Sequence, residues 1–123
     1  MWARTSCGWR ASSRAFRPNT CIISNGFAAM GMAVPGAIAA KLVHLDRHVV
    51  AVTGDGGFLT NLHELETANR METPFVVLVI NDQSDGSIRW KQMLQFGRPA
   101  FVDFKDPGYR EIRRALQRPR LFH

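Results

Sequence analysis

Cysteine is scarce in this chain of 123 residues: Cys7 and Cys21 are the only two. Their spacing fits neither a metal-binding pair nor a disulfide framework, which points to a reducing compartment. Long apolar runs are missing as well. A membrane-spanning helix needs roughly 18 consecutive apolar residues, and the small apolar stretch 28–40 stops at Lys41. There is no internal repeat and no low-complexity tract, so solenoid and linker architectures are not expected. Acidic residues are absent from residues 1–17, which carry Arg4, Arg10, Arg14 and Arg17.

What is present is an ordinary globular composition. Hydrophobic residues make up 46% of the chain, against disorder, and the length suits one domain. The net charge of +6 is unevenly placed. Residues 1–17 contribute +4, residues 98–123 (seven basic, three acidic) another +4, and residues 18–97 (five basic, seven acidic) −2. A nucleic-acid groove needs basic residues on a folded face with aromatics between them. Here the basicity sits at the two ends, so nucleic acid is not an expected partner. The Arg- and Ser-rich start looks like an organelle transit peptide, or like unrelated codons read at the edge of a shortened gene. The expected location is accordingly cytoplasmic, with an organelle as the alternative.

Residues 20–24 (TCIIS) read as a short strand entering a turn at Asn25-Gly26. The small-residue stretch 28–43 predicts a helix that starts near Pro35 or kinks there. Val49 to Thr53 reads as a strand, apolar on both faces and therefore central and parallel. Asn61 to Met71 reads as a helix, with Asn61 capping it and Glu64 three residues on. Leu62, Leu65, Ala68 and Met71 form its apolar stripe. Phe75 to Ile80 is a second apolar strand, which completes a right-handed βαβ unit. A helix over about 87–94, a weak strand at Phe101 to Phe104 and a last helix over 106–116 follow. The expected fold class is α/β: an open, mostly parallel sheet with helices on both faces, forming an incomplete three-layer domain.

Parallel strands bring equivalent ends to one edge of a sheet. Asp55 follows the first strand and Asp82 the second, so both carboxylates should face the crevice where open α/β sheets bind ligands. Two carboxylates there repel unless a cation lies between them. A hard ion such as Mg²⁺ takes one or two carboxylates together with phosphate oxygens. Gly54, Gly56 and Gly57 allow the backbone to approach an anion closely, and a helix N-terminus adds partial positive charge. Alone, Gly-Asp-Gly is also an ordinary tight turn. The carboxylate at the matching end of the next strand favours a metal–phosphate site.

Gly54-Asp55-Gly56, then 24 residues, then Asn81-Asp82 resembles the thiamine diphosphate motif of the enzymes related to acetolactate synthase and pyruvate decarboxylase. "SNGFAAMGMAVPGAIAAKL" and "HELETANRMETPFVVLVIND" are similar to the family on either side, over about residues 18–112. "IRWKQ" and "FVDF" resemble the catabolic, FAD-independent acetolactate synthase branch. The resemblance implies thiamine diphosphate and Mg²⁺ as cofactors. Asp55 and Asp82 would ligate the metal through their side chains, and Ser84 through its carbonyl. Gly56, Gly57, Gly86 and Ser87 would meet the diphosphate through the backbone. Met30 would prop the bent cofactor, with Ala28 beside its aminopyrimidine. Asp85 stands where the family often has an aromatic, Ser87 where it usually has Met, and Ala28 where it usually has Gly.

The implied activity is a transferase/lyase one: decarboxylation of pyruvate and its carboligation to a second pyruvate, giving 2-acetolactate. Family enzymes have three domains, and their activating glutamate comes from the first. The chain is therefore expected to be a fragment, inactive by itself, with no catalytic residue of its own and in need of a homo-oligomer or of the missing domains. Residues 1–17 read as a basic leader, 18–112 as the cofactor-binding domain and 113–123 as a basic tail. Alternatives are a decarboxylase acting on another 2-keto acid and a non-catalytic remnant.

Other residues carry bland readings beside functional ones. His44 and His48 could pair on a metal only if helical, but flank a loop. His63 reads as a surface residue near a helix start. Trp90, Lys91 and Gln92 lie either near the substrate or around a buried Trp anchor. Phe96, Phe101 and Phe104 read as core or lost-interface residues.

Overall fold

The computed structural model describes residues 17–24 and 26–116. The basic leader up to residue 16, Asn25 of the expected turn, and the tail from 117 lie outside the described residues. In chain order the elements are α1 (Ala33–Val43), β1 (Val50–Gly54), α2 (Asp55–Thr60), α3 (Glu64–Arg70), β2 (Val76–Ile80), α4 (Gly86–Phe96) and α5 (Tyr109–Leu116). The expected α/β class is borne out: β1 and β2 pair in parallel, from Val50 opposite Val76 to Gly54 opposite Ile80, in an open sheet.

The period of two divides the sheet into unlike faces. Ala51 and Thr53 are buried, and their partners Val77 and Val79 turn to the same side. Val34 and Ile38 of α1, Phe58 of α2 and Ala68 of α3 form the core there, with Val77 and Val79 packed on it. On the opposite face Val50, Val76, Leu78 and Ile80 are all exposed. The continuous apolar runs of both strands thus reflect two apolar faces, of which the described residues bury one.

α1 begins at Ala33, two residues before Pro35. Pro35 therefore occupies the first turn, where its missing N–H costs no helical bond. The helix is neither broken nor kinked by it. At the far end the Lys41 ammonium donates to the carbonyls of Leu45 (2.6 Å) and Arg47 (2.9 Å), folding the loop back on the helix.

The helix expected over Asn61 to Met71 is present in shortened form as α3, and a separate short helix, α2, precedes it. α2 starts at Asp55 itself, and α3 only at Glu64. Asn61 does not cap α3. Its carboxamide donates to the Gly31 carbonyl, 3.1 Å away and 30 positions earlier in the chain. Gly31 has φ +86°, and a Cβ there would lie 2.7 Å from Asn61 Nδ2. Only glycine satisfies both the backbone and the space.

Residues 20–24 form no strand. Residues 101–104 form only an isolated antiparallel bridge, Ser84 with Asp103. Two further backbone bonds extend this contact, Asp85 N–H to Val102 O (2.8 Å) and Phe104 N–H to Gln83 O (3.0 Å). That short ladder fixes the loop after β2. α4 ends on Gly97 in the left-handed region (φ +70°), the usual helix stop. Among the described residues, no helix is long and apolar enough to cross a membrane.

Candidate functional site

The site grows from the ends of the two strands. Gly54 is the last residue of β1, and Asp55 is the first of α2 and completely buried, with 0% exposure. A carboxylate in that position must be fully hydrogen-bonded. Its Oδ1 accepts the Gly56 N–H (2.9 Å), and its Oδ2 accepts the N–H groups of Asp82 (3.1 Å) and Gln83 (2.7 Å). The side chain thereby ties the start of α2 to the loop after β2 across 27 positions of sequence. The two acidic residues stand on one rim because one carboxylate binds the other residue's backbone.

Asp82 is itself exposed. Its Oδ1 accepts the Ser84 N–H at 3.3 Å, and its Oδ2 would lie 3.0 Å from a Cβ at Gly86. Gly56 is equally enclosed: a Cβ there would lie 2.9 Å from Asp85 Oδ1, 3.3 Å from Met30 Cε and 3.7 Å from Phe104 Cζ. Asp55, Gly56, Asp82, Asp85, Gly86 and Met30 therefore converge on one crevice. Ser84 is buried beside it, and Gly57 lies buried one step into α2. Ala28 is exposed with φ +51°, upstream of Met30. Gly56 and Gly57 are helical, and the Gly56 N–H is already taken by Asp55.

Among the described residues the acidic groups of the crevice have no ion-pair partner. The ion pairs among the described residues are His63–Glu64, Arg70–Glu66 and Arg89–Asp103, none of which involves Asp55, Asp82 or Asp85. Among those residues no group of three or more His, Cys, Asp or Glu is arranged to hold a metal. Asp55 and Asp82 bring carboxylate oxygens, hard donors, to this rim. That suits Mg²⁺, which fills its shell with water and phosphate oxygens. The Ser87 hydroxyl, in the first turn of α4, is buried without a hydrogen-bond partner.

The histidines fall where the bland readings put them, whereas the buried-anchor reading of Trp90 fails. His44 and His48 lie exposed in the α1–β1 loop. His63 is a surface residue at the start of α3. Trp90 is exposed on α4 and anchors no core. Gln92 brackets Ala100, donating to its carbonyl and accepting its N–H. Phe96 and Phe101 are exposed and Phe104 reaches the site.

Sequence reasoning missed Gln83 and Tyr109. Gln83, with φ +56°, supplies the shortest bond to Asp55. Tyr109 of α5 packs its ring on Phe58, centroids 5.7 Å apart, and its hydroxyl is buried without a partner. Burial, and then the charges of Asp55 and Asp106, hold its phenol above the ordinary value of 10.0. Folding thus favours the protonated phenol. Its contribution is complete below about pH 10 and is lost as pH rises through the raised folded value. Tyr109→Phe should flatten the alkaline fall in stability, read by urea denaturation between about pH 9 and about pH 11. Equal alkaline slopes for both chains would contradict this.

Comparison with known proteins assigns the chain to a class. The chain belongs to the family described as thiamine pyrophosphate enzyme, C-terminal TPP binding domain, whose model matches residues 5–119. Thiamine diphosphate is the cofactor of that family and Mg²⁺ its usual partner.

Within it, the relatives include acetolactate synthases. The acetolactate synthase of Bacillus subtilis (strain 168) is 44% identical over 91 residues, 74% of this chain and 16% of that protein. The catabolic acetolactate synthase of Raoultella terrigena is 39% identical over 90 residues, 73% and 16% of the two chains. The mitochondrial acetolactate synthase catalytic subunit of Aspergillus candidus is 32% identical over 117 residues, 94% and 16%. The chain thus spans 16% of the length of these relatives.

Proposed function

We propose that this chain holds the diphosphate end of thiamine diphosphate through Mg²⁺, as the cofactor-binding part of an acetolactate synthase-like enzyme. Residues 18–112 are its cofactor-binding unit, with basic flanks on either side. The buried Asp55, bonded to the backbone of Asp82 and Gln83, is the observation that carries the reading. It fixes two acidic residues on one rim of a parallel sheet, in a crevice where, among the described residues, no basic side chain pairs with them.

In this reading Asp55 and Asp82 hold the metal through carboxylate oxygens and Ser84 through its carbonyl. Gly56, Gly57, Gly86 and Ser87 keep the crevice narrow enough for backbone to meet the diphosphate. Gly54 sets the end of β1, Met30 supports the cofactor's ring system above Gly56, and Ala28 lies farther along it. The cofactor, when bound, supplies the electron sink for decarboxylation of a 2-keto acid. Pyruvate is the substrate favoured, because the relatives above are named as acetolactate synthases. No residue of this chain is assigned to proton transfer. Its partner is a second copy or the domains that make up the rest of such an enzyme.

Calorimetric titration of the 123-residue chain tests this. Thiamine diphosphate should bind with Mg²⁺ and not with EDTA, while pyruvate, Mg²⁺ and cofactor together should yield no acetolactate. Metal-independent binding, or none, would count against the site. Acetolactate formed by the chain alone would overturn its assignment as an inactive part.

A further inference from the structure

We infer that Asn61 is a positioning residue: its carboxamide holds the backbone that places the Met30 thioether over Gly56. It thereby shapes the part of the crevice that meets a ring rather than a phosphate. The inference rests on the function proposed above, in which Met30 supports the cofactor's ring system. Residues 27–31 form neither helix nor strand, so side-chain placement there depends on contacts from elsewhere.

Asn61 itself is held firmly. It follows α2 directly, its N–H donates to the Phe58 carbonyl at 3.3 Å, and its carbonyl accepts the Glu64 N–H at 3.2 Å. The two helices thus fix its backbone, and its side chain is left for a distant partner. That partner is the Gly31 carbonyl, 3.1 Å from the carboxamide. Gly31 is buried, and a Cβ there would lie 3.1 Å from both Asn61 Cγ and Thr60 Cγ2.

The other end of α2 meets the same segment. Met30 Cε lies 3.3 Å from where a Cβ on Gly56 would stand. The Thr60 hydroxyl donates to the Gly56 carbonyl at 2.9 Å, bracing the helix between the two contacts. α2 has six residues, about 9 Å of helix. One short rod therefore carries the methionine's tip at its start and the following residue's backbone at its end. Methionine is flexible and fills irregular space in many ways, and 39% of Met30 is exposed. Such a side chain keeps one place only if its backbone is held. An apolar thioether offers dispersion contact to a ring and no hydrogen bond to a phosphate.

Calorimetry on the full chain, Asn61→Ala and Asn61→Asp tests this, with thiamine diphosphate in one arm and inorganic diphosphate in the other, both with Mg²⁺. Asn61→Ala should weaken thiamine diphosphate binding about fivefold, the effect of one neutral hydrogen bond, and inorganic diphosphate less than about twofold. Asn61→Asp keeps the shape but turns an acceptor toward a carbonyl, so its selective loss should reach about tenfold. In a Met30→Ala background, Asn61→Ala should remove no further thiamine diphosphate affinity, because Asn61 acts through the methionine. If the alanine variant fails to fold, the aspartate variant, read below its melting temperature, carries the same comparison in both backgrounds. No loss, equal loss in both arms, or a loss that persists without the methionine overturns this inference and leaves the proposed function standing. A parent chain that binds neither probe, or inorganic diphosphate alone, overturns both.

Discussion

Asp55→Ala is expected to remove about 3–5 kcal/mol from the folded state and to abolish metal-dependent cofactor binding. The stability loss follows from the hydrogen bonds. Asp55 is fully buried and accepts three N–H groups. Gln83 would keep a second acceptor, the Asn81 carboxamide at 3.2 Å. Gly56 and Asp82 would lose the acceptors described for them, and a bond to a charged partner contributes about 1.5–3 kcal/mol. Against a usual total of about 5–15 kcal/mol, that is a large fraction.

Asp55→Asn separates the two effects. Its carbonyl oxygen can still receive the Asp82 and Gln83 N–H groups, while its amide faces the Gly56 N–H. The cost should fall to about 1–2 kcal/mol, with metal-dependent binding still lost because the negative charge is gone. Urea denaturation and titration with Mg²⁺ and thiamine diphosphate read the two quantities. An asparagine variant that binds like the parent chain would falsify Asp55 as a metal ligand and leave it a purely structural tie.

Phe58→Ala should cost about 3–5 kcal/mol, the usual range for deleting a buried aromatic side chain. Phe58 is 5% exposed and belongs to the core cluster with Val34, Ile38 and Ala68. It also carries the ring contact with Tyr109. The core is small and lies on one face of the sheet, so few other contacts can compensate. Phe58 sits three residues after Asp55 in α2. Its loss should therefore loosen the start of the helix and weaken ligand binding together with stability. Phe58→Leu, closer in volume, should cost less than about 1.5 kcal/mol. A cost below about 1 kcal/mol for the alanine variant in chemical denaturation would show that the core is organised elsewhere.

The bare sheet face has its own consequence. Val50, Val76, Leu78 and Ile80 form an apolar surface without a cover among the described residues. Surfaces of this kind mark contacts with further protein. That agrees with a chain matching only 16% of its acetolactate synthase relatives.

The local pattern of the chain determined the two strands, their parallel pairing and the common rim for Asp55 and Asp82. Each follows from short-range rules: a continuous β-branched run makes a strand, and a helical crossover makes the next one parallel. The family motif was legible for the same reason, since its residues stand at strand ends that periodicity can locate. Tertiary structure decided the rest. Asn61 looked like a helix cap in isolation, yet its bond goes to Gly31, 30 positions away. A separate short helix begins at Asp55, whose carboxylate is locked to the backbone of Asp82 and Gln83, 27 and 28 positions on. Tyr109 meets Phe58, and the Phe104 N–H meets the Gln83 carbonyl, through contacts between segments far apart in sequence. Periodicity reports which face a residue occupies on its own element. It carries no record of which distant backbone group a polar side chain will find once the elements pack.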